Sequence, residues 1–202
     1  LNESQVMYLN RIQNEAEMAL DLLVDSVDLL SINSGISKIK IDTIDLHAFL
    51  SKLISMFSKK IQSKKIKLIL ECPLDFGWID SDPDKLRICL LNLIKNSMSL
   101  TGSGGKITIN TKRSADEIRI DVSDTSKGLS KINMSKIFDN FNKQSVFDIP
   151  SHSAGIVFAN RVLDLLDGRI EIKSKINQGT TVSLILPQGN NLTSVDPESE
   201  VK

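Results

Sequence analysis

The sequence predicts an α+β fold, a two-layer α/β sandwich preceded by one long helix, and three observations carry that prediction. From Lys38 to Pro187 the apolar pattern switches repeatedly between a period of two and one of about 3.6. Within that span, short alternating segments flank turn residues as hairpins do, and longer amphipathic segments separate them. Residues 1 to about 33 contain neither Gly nor Pro and repeat their apolar positions at three- and four-residue steps.

The long helix comes first. Leu9, Ile12, Ala16, Ala19, Leu23 and Leu30 form a narrow seam interrupted by Ser26, and Asn33-Ser34-Gly35 supplies its stop. Its other positions are largely acidic: Glu3, Glu15, Glu17, Asp21, Asp25 and Asp28. Alone, such a helix leaves its seam in water, so it packs either on its own domain or on a second helix as one arm of a dimerising hairpin.

The remaining elements follow in order. Ile39 to Thr43 alternates as a short strand, Leu46 to Ile61 reads as an amphipathic helix, and Ile66 to Glu71 as a strand. A second helix starts at Asp82-Pro83, with Pro at its first position, and runs to about Leu100. Lys106 to Arg113 and Glu117 to Ser123 form a hairpin across Ser114-Ala115-Asp116. Ala154 to Leu166 is a third helix, stopped by Asp167-Gly168, and Arg169 to Lys175 with Thr180 to Leu186 make a final hairpin around Asn177-Gln178-Gly179. Helices are expected to cover one face of a mixed sheet, with segments at 1–35, 36–188 and a polar tail at 189–202.

Composition narrows the function classes. With 25 basic and 25 acidic residues the chain has no net field that would draw it to nucleic acid or an anionic membrane. Cys72 and Cys89 sit in apolar runs without metal-ligand spacing and read as reduced core residues. No apolar run approaches the ~20 residues needed to cross a bilayer, and a cytoplasmic location is expected, with membrane anchoring of a longer parent left open. The basic cluster Lys59, Lys60, Lys64, Lys65 and Lys67 reads as a solvated helix end.

Asp124-Thr125-Ser126-Lys127-Gly128-Leu129 follows a strand and can present one buried acceptor to a ligand edge while backbone passes close by. Upstream lies Leu91-Asn92-Leu93-Ile94-Lys95-Asn96-Ser97 on the second helix; downstream come Ile137-Phe138-Asp139-Asn140-Phe141, then Ser153-Ala154-Gly155-Ile156, then Gly179-Thr180-Thr181. That order and spacing resemble the ATP-binding catalytic domain of sensor histidine kinases, within the ATPase group that includes DNA gyrase and Hsp90. The stretch from Leu1 to Ser31 is similar to the second dimerisation helix of those kinases.

The resemblance implies a Bergerat-type ATP-binding fold, with ATP and Mg²⁺ as ligands. It implies Asn96 as a magnesium ligand and Asn92, Asn96, Asp124, Thr125, Gly128, Phe138, Phe141, Gly155 and Thr180 as the ATP-binding set. Asp124 would accept the adenine amino group, which guanine's carbonyl at the same place could not supply. Partners implied are a second copy, through the N-terminal helix, and the receiver domain of a response regulator.

Three departures stand beside the matches. Ser126 replaces a glycine, Ser99 and Leu100 replace a Lys-Phe pair, and Ser151-His152-Ser153-Ala154-Gly155-Ile156 retains one of three glycines in a phosphate-binding segment. A serine forced to positive φ there would cost on the order of 1–2 kcal/mol. Lys143 lies in the expected lid between Phe141 and Ser151, and His152 at its end. Neither His47 nor His152 fits the family's acceptor histidine, so no catalytic residue is identified within the chain. The reading is an ATP-binding fragment that transfers the γ-phosphate to a histidine outside this chain. The alternative is a degenerate pseudokinase or dimeric scaffold that binds a response-regulator-like partner without ATP turnover. A gyrase-like ATPase is disfavoured, since Asn92 occupies the turn where those enzymes place a water-activating glutamate.

Overall fold

Pairing of strands far apart in the chain builds a five-stranded mixed sheet, and a separate two-stranded sheet flanks it. The structure, a computed structural model, describes residues 5, 6, 8, 12, 39–141 and 151–188. The chain divides into two compact units, residues 1–38 and 39–202. In the first, the four described residues Gln5, Val6, Tyr8 and Ile12 are helical, and the rest of the expected long helix lies outside the described residues.

In the second unit β1 (Asp42–Asp45) leads into α1 (Leu46–Ser55), α2 (Ser58–Lys64) and β2 (Lys67–Glu71). β3 (Trp78–Ser81) precedes α3 (Pro83–Leu100), which is followed by β4 (Lys106–Arg113), β5 (Glu117–Asp124), α4 (Lys131–Phe141), α5 (Ser151–Asp164), β6 (Arg169–Lys175) and β7 (Gly179–Pro187). The large sheet runs β2-β4-β5-β7-β6, with β2 parallel to β4 and the other pairs antiparallel, and β1 pairs with β3.

Several boundaries differ from the sequence pattern for identifiable reasons. The first strand is Asp42–Asp45 rather than Ile39 to Thr43, because Ile44 is the isoleucine that becomes buried while Ile39 and Ile41 stay exposed. The expected helix from Leu46 to Ile61 is two helices. Met56 and Phe57 donate to the carbonyls three residues back, at 3.2 and 3.0 Å, and Phe57 buries its ring at the break. β3 and α4 were not foreseen, and α5 begins at Ser151, three residues before the expected Ala154. Serine costs less than glycine in a helix, by several tenths of a kcal/mol per residue, so the serines that replace glycine extend α5 towards its N-terminus.

α3 matches its expected bounds. Both Oδ1 contacts of Asp82, to the Asp84 and Lys85 amides at 3.0 Å, cap its first turn, and Pro83 occupies a position whose N–H would have no partner. Leu86, Cys89, Leu90, Leu93, Ile94 and Met98 are buried, each stabilising by about 1.5–3 kcal/mol for the larger side chains. The same sheet face supplies Ile109, Ile120, Val122, Val182 and Leu184. Both thiols are free and buried, as the sequence predicts, and burial pushes each one up in pKa.

The opposite sheet face is mainly polar, with Ile185 as a buried apolar exception. Arg119 on β5 donates to Asp121 at 2.8 Å, to Glu171 on β6 at 2.9 Å and to the Ser183 hydroxyl on β7 at 2.7 Å. Alternation with period two thus sorts the strands into an apolar side under the helices and a hydrogen-bonded outer side.

Candidate functional site

The site begins where the apolar face of the sheet runs out. Across the strands, Ile120 stands beside Leu184 and Val122 beside Val182, but on β5, β7 and β6 the last row reads Asp124, Thr180 and Ser174, next to the buried Ile107 of β4. Asp124 and Thr180 are buried and Ser174 is half-buried. Polar residues at positions the alternation assigns to the core require partners or a ligand.

Asp124 has partners on one oxygen. Its Oδ1 accepts the Ser126 N–H at 2.9 Å and the Thr180 N–H at 3.3 Å. The first contact is an Asx turn that ends β5 and reverses the chain. Oδ2 accepts no hydrogen bond from the described residues, so the carboxylate keeps acceptor capacity for an amino group of a ligand.

Two glycines make this packing possible. Gly179 has φ +86°, and a Cβ there would lie 1.9 Å from the Asp124 carbonyl oxygen. Gly128 has φ +66°, and a Cβ there would lie 2.2 Å from the Lys175 carbonyl oxygen. Side chains are excluded from both positions by strain and by collision.

Ser126 fits without strain. Its φ is not among the positive values, and its hydroxyl accepts the Gly128 N–H at 3.2 Å. Thr125 is exposed, and its Oγ1 accepts the Lys106 N–H at 2.9 Å while its own N–H donates to the Lys106 carbonyl at 3.1 Å. Thr125 therefore locks the turn onto β4.

Ser174 was not foreseen. Its hydroxyl accepts the Leu129 N–H at 2.7 Å, lies 3.1 Å from the Gly179 carbonyl it can donate to, and lies 2.8 Å from Thr180 Oγ1. The available signal was a serine at the inward position after Ile170 and Ile172.

A second group of expected residues meets on the helices. Asn92 and Asn96 share one face of α3, four residues apart. The buried Asn92 amide donates to the Ile88 carbonyl at 3.0 Å. On α5, a Cβ at Gly155 would lie 3.4 Å from the Asn92 carbonyl oxygen and 3.5 Å from its Oδ1, so the two helices touch at this pair. Asn96 is half-buried and its amide makes no hydrogen bond with the described residues. Neutral amide oxygens suit a hard cation that is also held by phosphate oxygens and water. Among the described residues no group of three or more His, Cys, Asp or Glu side chains could hold a metal.

Phe138 and Phe141 form their own pair on α4, rings edge to face at 5.4 Å and 83°, with Phe138 40% exposed. The backbone of Ser151 to Ala154 is helical, and Lys143 lies outside the described residues. Helical φ at Ser151 and Ser153 removes the expected left-handed strain there. His47, at the start of α1, pairs its Nδ1 with the Cys72 carbonyl at 2.8 Å.

The profile of the family described as histidine kinase-, DNA gyrase B- and HSP90-like ATPase matches residues 81–190. The chain is 25% identical over 207 residues to the circadian input-output histidine kinase CikA of Synechococcus elongatus, covering all of this chain and 27% of that protein. It is 31% identical over 140 residues to the adaptive-response sensory kinase SasA of the same organism, covering 68% of this chain and 36% of that protein. The chain thus spans about a quarter to a third of these curated relatives. Among solved structures, the histidine kinase ThkA in complex with the response regulator protein TrrA aligns with TM-score 0.71 at 20% identity, covering 94% of this chain and 53% of that one. Acinetobacter baumannii histidine kinase AdeS aligns with TM-score 0.70 at 15% identity, covering 94% and 87%.

Proposed function

Because this chain belongs to the histidine kinase-, DNA gyrase B- and HSP90-like ATPase family, whose domain binds ATP, we propose that it is the ATP-handling part of a sensor histidine kinase. It holds the nucleotide so that a histidine outside these residues attacks the γ-phosphorus in line. The observation that carries this reading is the half-satisfied carboxylate of Asp124, buried at the end of β5 with Oδ2 left for a donor.

In this mechanism Asp124 Oδ2 accepts the exocyclic amino group of adenine. A guanine placed the same way would present a carbonyl to the carboxylate, and two acceptors facing each other in a buried site cost several kcal/mol relative to a made bond. Thr180 holds the other oxygen of that carboxylate through its backbone N–H, and its hydroxyl lies 2.8 Å from that of Ser174. Asn96, with Asn92 one turn away, would hold Mg²⁺, which when bound neutralises phosphate charge. Catalysis of the transfer is then mainly positioning, the term that holding two reactants in line supplies. Ser126 and the serines at the start of α5 are compatible with this reading, since none of them sits at positive φ. Dimerisation through the N-terminal helix and recognition of a response-regulator receiver domain belong to the same reading.

Thermal unfolding with and without Mg-ADP tests it. Nucleotide at 100 times its Kd stabilises by about 2.7 kcal/mol, a shift of roughly 5–10 °C for a chain this size. Asp124→Asn abolishes the shift if the assignment is right. A chain that shows no shift with either Mg-ATP or Mg-ADP is not a nucleotide-binding module.

A further inference from the structure

The balanced net charge of the chain conceals a polarised domain. Residues 39–188 contain 22 basic and 16 acidic side chains, and the sheet sorts them by end. β2 and β4 begin, and β5 and β6 end, at the edge where Asp124 and Thr180 lie. The four connections at that edge, residues 62–67, 101–106, 125–130 and 175–179, carry Lys64, Lys65, Lys67, Lys106, Lys127 and Lys175 and no Asp or Glu. The connections at the other end, residues 71–78, 113–117 and 167–169, carry five carboxylates against two arginines.

The lysines are held around the site by backbone contacts. Lys67 stands beside Lys106 in the parallel pair of strands. Lys106 is bonded through its backbone to Thr125, Lys127 accepts the Asn177 N–H at 2.8 Å, and Lys65 accepts the Gly104 N–H at 2.9 Å. Lys64 donates to the Met98 carbonyl at 3.1 Å, whereas the exposed ammonium groups of the other five make no hydrogen bond or ion pair with the described residues. Only the buried Asp124 opposes them at these strand ends.

From this arrangement we infer that the lysine edge is an electrostatic funnel that guides the anionic polyphosphate nucleotide to the site. The inference rests on the nucleotide-binding reading above and adds to it how the ligand arrives. One-signed charge around a low-dielectric cleft raises encounter rates by a factor of 10 to 10³ in known cases, and the gain disappears as salt shortens the screening length below about 10 Å. Unpaired ammonium groups act on the approaching ligand without forming a fixed contact in the bound state.

Stopped-flow association of N-methylanthraniloyl-ADP with the whole chain tests this, using Lys65→Gln, Lys67→Gln and Lys175→Gln together. At about 50 mM salt the triple variant is expected to bind about three- to tenfold more slowly, and at about 500 mM salt to match the wild type, with an unchanged dissociation rate at both. Lys112→Gln, near the far end of β4, changes the on-rate less than twofold. An on-rate equal to wild type at low salt overturns the funnel while leaving the nucleotide site standing. So does a loss that persists at high salt or that appears in dissociation, since either marks direct contact. Failure of the unmodified chain to bind the probe overturns the nucleotide site itself, and the funnel with it.

Discussion

The Lys40 N–H donates to Oδ2 of Asp82 at 2.9 Å, while Oδ1 of the same buried carboxylate caps α3. One side chain therefore ties the entry of the second unit to the helix that carries Asn92 and Asn96. Asp82→Ala removes the cap and leaves the Lys40 amide without its acceptor. A loss of about 2–3 kcal/mol is expected, lowering the melting temperature by roughly 5–10 °C. Asp82→Asn keeps one acceptor oxygen and loses less. Calorimetry on the two variants distinguishes them.

Gly179→Ala brings a methyl group into the Asp124 carbonyl at a residue with φ +86°. The expected cost is about 3 kcal/mol or more, and nucleotide binding falls because Thr180 is displaced from Oδ1 of Asp124. Urea unfolding and titration with Mg-ADP measure the two effects separately.

Ser126→Gly restores the family residue and is expected to make the protein worse. The hydroxyl bonded to the Gly128 N–H is lost, and the unfolded chain gains freedom. A drop of about 1 kcal/mol with no gain in nucleotide affinity is the expected result. A tenfold tighter complex would contradict the geometry of this turn.

Acid stability depends on Glu117. The Arg169 guanidinium donates to its carboxylate, at 3.0 Å for Nη2, and holds its pKa below the ordinary 4.5. Because the folded value is the lower one, the stabilisation is present above pH 4.5 and is lost as pH falls through the lowered value. Melting temperature followed downward in pH should therefore decline less steeply in Glu117→Gln than in wild type. The difference should shrink in high salt, since both partners are exposed.

Burial pushes both thiols up, Cys89 far more than Cys72. Neither is expected to react with iodoacetamide at neutral pH in the folded protein, and both should react in urea. Mass spectrometry of the native sample reads the outcome directly.

How much of this was legible in the sequence depended on whether the signal was local. α3 announced itself through Asp82-Pro83 and a long apolar stripe, and the β4–β5 hairpin through strict alternation around Ser114-Ala115-Asp116. β3 was missed because four residues, Trp78–Ser81, give too short an alternation and take their pairing from β1, thirty-odd residues earlier. α4 was missed because Ile132, Ile137, Phe138 and Phe141 do not make a clean stripe, and Ile132 and Phe138 stay exposed. The Asp124 turn was legible as a motif. Its supports were not, because Ser174 reaches Leu129 from 45 residues away and only the folded sheet brings them together.

The pairing of β5 with β7 sets an order of events. Asp124 is synthesised 56 residues before Thr180, the residue whose amide is the second donor to its Oδ1. A chain growing from its N-terminus holds α3, the central hairpin and the carboxylate long before the strand that fixes that carboxylate exists. Contacts of such separation form late, because closing a long loop is costly until other interactions hold its ends. Nascent or C-terminally clipped chains ending before Gly179 would thus lack the strand that joins β6 to β5 and be unable to hold a nucleotide, which couples ligand binding to completion of the domain.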